Sequence, residues 1–461
     1  MSKVKEPEGL EPIEAIAKDL PISPRSIPTR LKITVRGRTV NLSRFRKRPT
    51  GIWRWLAILG PGLIATSAGN DAGGIATYTQ AGAKFGYDLI WVMVLLTISF
   101  AVVQEMSARL GAATGRGLLD LIRERFGIGW ALFAVLTILI ANAAITVSEF
   151  VGIGAAMELL GVNKYIAVPL GALLIWYMVI FGSYQKVEKV LLLMTLVFFA
   201  YPIAAVLAGP DWKAVASGAF IPKFKADPAY IFLMVGLLGT TLTPYIQIFQ
   251  QSSLVEKGVA RGHYGPERID AYFGAVFSNL MSISMIIATA ATLYVVGKHE
   301  IGSAAEAAQA LEPVVGSASR VLFGIGLLGA TLLAGAVLPL ATAYAVSEAF
   351  GAPKGVNLDF RRGKVFFGLF TALIVIGVLL ALLPNIPVMQ LLVGVQVLNG
   401  VLLPIILVFI LLLINDKQLT KELRNTRLNN VLAIGTLIMI TSAVVVMLGG
   451  QVMAWLGGQG N

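Results

Sequence analysis

The sequence predicts an all-α, polytopic membrane protein whose helices fall into two inverted halves. Three observations predict it. First, the 461 residues are 56% hydrophobic and 13% charged, against about a quarter charged in soluble domains. Second, apolar runs of about 20 residues, long enough to cross a bilayer, recur between residues 53 and 456. Third, two of these runs are interrupted, the first at "AGNDAGG" (68–74) and the sixth at "GLLGTTLTPY" (236–245). The interruptions lie five spans apart, and an odd offset inverts the direction of crossing. Broken segments at corresponding positions of two halves mark the midplane substrate site of a transporter.

Residues 1–50 read as a basic tail. They hold no apolar run of the kind a cleavable signal peptide carries, and their polar, proline-containing composition predicts a disordered cytoplasmic segment. The run "RFRKRP" (44–49) allows a second reading, a contact with anionic lipid at the inner leaflet.

The membrane part, residues 51–456, is expected to hold about eleven helices. Repeat one (53–209) takes 53–78, 87–108, 130–158, 165–182 and 188–209. Repeat two (228–414) takes 228–253, 269–297, 318–349, 365–383 and 388–414, and an extra helix follows at 430–456. Lys and Arg in the short loops set the orientation. One side collects Arg109, Arg116, Arg123 and Arg125, then Lys186, Lys189, Lys257, Arg261 and Arg268, then the clusters at 354–364 and 417–427. The other has only Lys84, Lys164, Lys213, Lys223, Lys225, Lys298 and Arg320. The basic tail joins the richer side, which puts the N-terminus in the cytoplasm and, after eleven crossings, the C-terminus outside a cell membrane.

The chain has no cysteine, which excludes disulfides, thiolate metal sites and cysteine nucleophiles. Its net charge of +12 reads as loop asymmetry, not as a nucleic-acid surface. There is no Ser–His–Asp set, phosphate-binding glycine loop or zinc motif, so neither an enzyme nor a cofactor is expected, and no obligate protein partner is evident. His263 and His299 fall in loops on opposite sides.

Asp71 is the costly residue. An aspartate at a helix centre costs about 2.5–3.5 kcal/mol to insert, so it faces a cavity and has a partner. One reading makes it the cap of a helix beginning at Ala72; the other makes it the hard anionic ligand of a divalent cation. In span 6, Pro244 has no N–H, so the Thr240 carbonyl four residues earlier loses its helical partner. That carbonyl must line a cavity or find another donor, and Thr240, Thr241 and Thr243 set hydroxyls beside it. Asn142, Glu149, Asn279, Gln396 and Asn399 are the other intramembrane polar residues, each readable as an interhelical hydrogen-bond partner. Glu149, being ionisable, also reads as an ion-pathway group.

At these residues the chain resembles the Nramp family of divalent-metal transporters. The stretches "GPGLIATSAGNDAGGIATYTQAGAKFGYDLIW" (60–91), "QEMSARLGAATGRGLLDLIRERFG" (104–127), "SEFVGIGAAMELL" (148–160) and "VQVLNGVLLPIILV" (395–408) resemble its first span, the stretch after span 2, and spans 3 and 10. The resemblance implies a LeuT-type fold of two inverted five-helix repeats plus an eleventh helix. The family's first-span signature, Asp-Pro-Gly-Asn, reads Asp71, Ala72, Gly73, Gly74 here. The aspartate ligand is kept, while the asparagine and the helix-breaking proline are lost. The family offers the metal a carbonyl at the position of Ala68, but without proline Ala72 can donate its N–H there. Asn70 is a candidate substitute for the lost amide, although on a continuous helix it points about 100° away from Asp71.

In span 6 the family's Met-Pro-His reads Thr243, Pro244, Tyr245. Losing the soft thioether hardens the site, and tyrosine does not titrate near neutral pH as histidine does. The family's acidic residue three positions before Glu149 is Thr146. These departures resemble the divergent, magnesium-handling branch of Nramp-related transporters. The expected metal site is Asp71, Ala68, Asn70, Gly74, Thr240 and Thr243, surrounded by Tyr245, Glu149, Thr146, Gln396 and Asn399. The expected function is alternating-access carriage of Mg2+ and Mn2+ without obligatory proton coupling. Two alternatives stay open: a proton-coupled Mn2+/Fe2+ importer of the ordinary Nramp kind, and an organic-solute or amino-acid carrier on the same fold.

Overall fold

Backbone amides inside a bilayer have no water to bond, so an apolar segment that crosses it becomes a helix. The computed structural model describes residues 31–35, 38–42, 61–181, 199–259, 264–311, 316 and 319–458. Two units are distinguished, Met1–Ala57 and Ile58–Asn461. In the first, β1 (Leu31–Val35) and β2 (Arg38–Leu42) pair antiparallel with Ile33 opposite Val40. Their alternation of apolar and polar residues is a strand pattern, so the expectation of an unstructured tail does not hold over these two strands. The basic run at 44–49 lies outside the described residues.

In the second unit the first expected span is two helices, α1 (Pro61–Ala68) and α2 (Ala72–Phe85). Helix α3 (Ile90–Thr114), a short α4 (Leu118–Phe126), α5 (Ile128–Leu159) and α6 (Lys164–Phe181) follow. Of the fifth expected span, α7 (Ala200–Leu207) is described and 188–198 lies outside the described residues. After α8 (Trp212–Phe220), span 6 is again two helices, α9 (Pro228–Thr241) and α10 (Pro244–Glu256). Then come α11 (Tyr264–Thr289) running into a π turn at Ala290–Tyr294, a short α12 (Ala304–Ala308), α13 (Ser319–Phe350), α14 (Lys364–Ala381), α15 (Val388–Asn415), α16 (Lys417–Thr420) and α17 (Arg427–Gly458). Among the described residues nine helices, counting α9–α10 as one, are long and apolar enough to cross a membrane.

The packing separates two groups. Spans 3, 4, 8 and 9 (α5, α6, α13, α14) pack on one another, with α5 against α13 the most extensive pair. Spans 1, 2, 6 and 7 (α1, α2, α3, α10, α11) form the second group, and α15 reaches α2, α5 and α9. Spans 3 and 8 hold equivalent places in the two repeats, as do 1 and 6; this is the LeuT-type arrangement. Two glycines allow α9 and α15 to touch backbone to backbone: a Cβ on Gly400 would sit 2.6 Å from the Val235 carbonyl and 3.4 Å from Gly239 Cα. Small residues buy this approach where lipid supplies no hydrophobic drive. It carries Gln396 and Asn399 to the two breaks.

Loop contacts link residues that the charge pattern places together. On one side Arg109 bonds the Arg424 carbonyl at 3.2 Å, Arg123 bonds the Ala349 carbonyl at 3.2 Å, and Arg125 pairs with Asp416 at 2.6 Å. On the other, Lys84 pairs with Glu300 at 3.3 Å, and Asp88 takes Lys223 at 2.9 Å and Lys225 at 2.7 Å. Partial burial raises the Asp88 pKa, but hydrogen bonds from Lys225 and Lys223 outweigh it and hold the carboxyl below its ordinary range. Lys186, Lys189, Arg261 and His263 lie outside the described residues.

Candidate metal site

Span 1 breaks without proline. Helix α1 ends in a tight turn, with Gly69 and Asn70 N–H groups donating to the Thr66 and Ser67 carbonyls at 3.1 and 3.0 Å. Asp71 is extended, at φ −72° and ψ −178°, and caps α2: its Oδ1 accepts from the Gly74 N–H at 2.6 Å. The Ala72 N–H, free at this helix start, donates to Glu149 Oε2 from span 3 at 3.2 Å. The donation from Ala72 to the Ala68 carbonyl, open to it on a continuous helix, is therefore not made. Glu149, 77 positions along the chain, takes up the N–H that a proline at position 72 would lack.

In span 6, α9 ends at Thr241 and α10 begins at Pro244. The Thr240 carbonyl released by Pro244 accepts from Thr243 Oγ1 at 2.8 Å. Other exposed backbone oxygens at the two breaks are met in the same way. Tyr245 Oη donates to the Ala68 carbonyl at 2.6 Å, Thr240 Oγ1 to the Gly69 carbonyl at 3.3 Å, and Asn399 Nδ2 to the Gly239 carbonyl at 2.6 Å. In hydrocarbon an unmet carbonyl costs several kcal/mol, and side-chain donors remove that cost here.

What stays unmet is a set of side-chain oxygens. Asp71 spends Oδ1 on the Gly74 N–H and on Gln396 Nε2, the latter at 2.9 Å. Its Oδ2 is buried with no hydrogen-bond partner, and so are Gln396 Oε1, Asn399 Oδ1 and Thr241 Oγ1. No lysine, arginine or histidine among the described residues pairs with Asp71 or Glu149. Of the two readings of Asp71, the helix cap is made by Oδ1, while Oδ2 takes no part in it.

The expected site residues divide. Asp71, Ala68, Gly74, Thr240, Thr243, Tyr245, Glu149, Gln396 and Asn399 meet through the bonds just described. Gly74 contributes a backbone N–H and space, since a Cβ there would lie 2.7 Å from Thr240 Oγ1. Asn70 turns to span 7: its Nδ2 donates to Ser278 Oγ at 3.2 Å, and its Oδ1 accepts from Ser282 at 2.7 Å. Thr146 bonds back to the Asn142 carbonyl at 2.7 Å within α5. Asn142 and Asn279 are interhelical partners, to Thr342 at 2.8 Å and to the Met93 carbonyl at 2.8 Å. Sequence reading passed over Asp270, whose carboxylate receives the Gly62 and Leu63 N–H groups at 2.7 and 3.2 Å and so caps α1 from span 7. An acid near the start of an apolar run was the available signal.

Asp71, Glu149, Thr240, Thr243, Tyr245, Gln396 and Asn399 are all fully buried, so this conformation is closed at the site. On the side away from the arginine-rich loops a cavity of about 410 Å³ opens between Gln80, Lys84, Leu233, Glu300, Met389 and Gln390. Gln80 lies nine residues along α2 from Asp71, roughly 13 Å at 1.5 Å per residue. Val393, also in its lining, lies three residues along α15 from Gln396, the side-chain partner of Asp71. Among the described residues no group of three or more His, Cys, Asp or Glu is placed to hold a metal.

Residues 62–449 match the family described as natural resistance-associated macrophage protein-like. The chain is 30% identical over 405 residues to the divalent metal cation transporter MntH of Yersinia pestis, covering 86% of this chain and 94% of that relative. It is 32% identical over 300 residues to MntH of Deinococcus radiodurans, covering 63% of this chain and 68% of that relative. In fold it is similar to the crystal structure of an Eremococcus coleocola manganese transporter, with TM-score 0.72 at 18% identity over 89% of this chain and 90% of that one.

Proposed function

The chain belongs to the Nramp family, and from that premise we propose that it carries divalent cations, Mg2+ and Mn2+ foremost, by alternating access. The observation that carries the reading is Asp71 Oδ2, a buried carboxylate oxygen at a broken helix with no hydrogen-bond partner. A cation supplies what the fold leaves out. The neighbouring unpartnered oxygens are amide and hydroxyl groups, and no sulfur stands at the break of span 6, where Thr243 follows Leu242. Oxygen-only sites suit hard ions, and Mg2+ in particular keeps several waters and binds through one or two carboxylates. The lack of a three-residue ligand cluster among the described residues agrees with an ion that arrives partly hydrated. The MntH relatives, divalent metal cation transporters, point the same way.

We propose further that transport is not obligatorily coupled to protons and that the arginine-rich side is cytoplasmic. Thr146 and Tyr245 stand where the family places titrating groups, and neither exchanges a proton near pH 7. A membrane potential supplies about 2.3 kcal/mol per charge per 100 mV, enough to drive entry alone. The ordinary proton-coupled reading draws on Glu149, which accepts from the Ala72 N–H next to Asp71 and has no cationic partner among the described residues. The experiment is Mg2+ and Mn2+ uptake into proteoliposomes with a pH dye inside. Uptake without acidification is expected. Metal-dependent acidification would replace this reading with the coupled one, and absence of uptake would remove both.

A further inference from the structure

The Tyr245 hydroxyl lies against a backbone oxygen of span 1 that its own helix does not satisfy. Ala68 is the last residue of α1, and the Ala72 N–H that would reach its carbonyl in a continuous helix is held by Glu149. Tyr245 Oη donates to that carbonyl at 2.6 Å, and its ring is fully buried. The ring follows Pro244 directly, whose fixed φ sets the first turn of α10. The hydroxyl is thus delivered by a rigid helix start.

We propose that Tyr245 sets how much water the bound ion keeps, by holding the Ala68 carbonyl out of its coordination sphere and so favouring Mg2+ over Ca2+. The proposal rests on the reading that Asp71 binds a divalent cation. A carbonyl oxygen that accepts an O–H is a poorer ligand for a divalent ion, because one of its two lone pairs is engaged and the donated proton is repelled by the cation's charge. The same restraint acts at the Gly69, Gly239 and Thr240 carbonyls, each met by a side-chain donor. The ion therefore draws mainly on side-chain oxygens and its own waters. Mg2+ dehydrates reluctantly and loses little by this, whereas Ca2+ takes six to eight oxygens directly and loses more. Tyr245 is a positioning residue: it acts through Ala68.

The test compares Tyr245→Phe and Tyr245→Leu with wild type by titration calorimetry of the purified, full-length protein with MgCl2 and with CaCl2. Both variants lack the hydroxyl and differ in volume, and melting temperature reports whether each is folded. The Ca2+-to-Mg2+ affinity ratio should rise about three- to tenfold, the worth of one net hydrogen bond, in whichever variants keep a wild-type melting profile. A ratio unchanged in folded variants would overturn the proposal, as would a rise with leucine but not with phenylalanine, which would mark ring volume as the cause. If wild type binds neither ion, the divalent-cation reading itself falls. If wild type binds and the ratio stays fixed, only the role of Tyr245 falls.

Discussion

Replacing Asp71 by alanine separates the cap from the ligand. The substitution removes the acceptor for the Gly74 N–H at 2.6 Å and for Gln396 Nε2 at 2.9 Å. Losing an N-cap costs about 1 kcal/mol, and leaving a buried amide donor unpaired costs about 1–3 kcal/mol. Against this, removing a carboxylate from the centre of a span relieves about 2.5–3.5 kcal/mol. The terms nearly cancel, so the metal-free variant should unfold within a few degrees of wild type. Binding does not cancel. At a hundredfold excess over Kd a ligand stabilises the folded state by about 2.7 kcal/mol, and the variant should lose all of it. The assay is thermal unfolding in detergent with and without MgCl2 at 100 times the wild-type Kd, beside calorimetric titration. Asp71→Asn serves as control, keeping an acceptor for Gly74 while losing the charge, and should also fail to respond to Mg2+. A metal-dependent shift in Asp71→Ala equal to that of wild type would refute the assignment of the unpartnered oxygen as ligand.

Thr243→Met restores the family's thioether and frees the Thr240 carbonyl that Thr243 Oγ1 now holds at 2.8 Å; Cd2+ uptake into liposomes should rise relative to Mg2+, and an unchanged ratio would show that position 243 does not face the ion. Gly74→Ala places a Cβ 2.7 Å from Thr240 Oγ1 and 2.9 Å from the Gly69 carbonyl; overpacking of this kind costs about 1–3 kcal/mol, so both the melting temperature and Mg2+ affinity should fall, and neither would move if the half-helices separate freely. The cysteine-free chain permits single-cysteine topology mapping: a cysteine appended at the C-terminus should react with an impermeant maleimide in intact cells, and labelling only after permeabilisation would invert the orientation.

The sequence by itself determined the helical membrane class, the order of the spans and the two places where they break. Hydrophobicity is local, and so is the lack of an N–H in Pro244, so both can be read from residues in line. Asp71 at the first break was legible for the same reason: a carboxylate in an apolar run is costly wherever the fold puts it. Partners were not legible. That span 1 breaks without proline depends on Glu149, 77 positions away. That Ala68 keeps no free carbonyl depends on Tyr245, 177 positions away. Asn70, adjacent to Asp71 in the chain, bonds Ser278 and Ser282 of span 7 instead of joining it. Each of these backbone and amide groups must find a donor or acceptor where water is absent, and which one it finds is fixed by the helix packed beside it. Only the tertiary structure decides that.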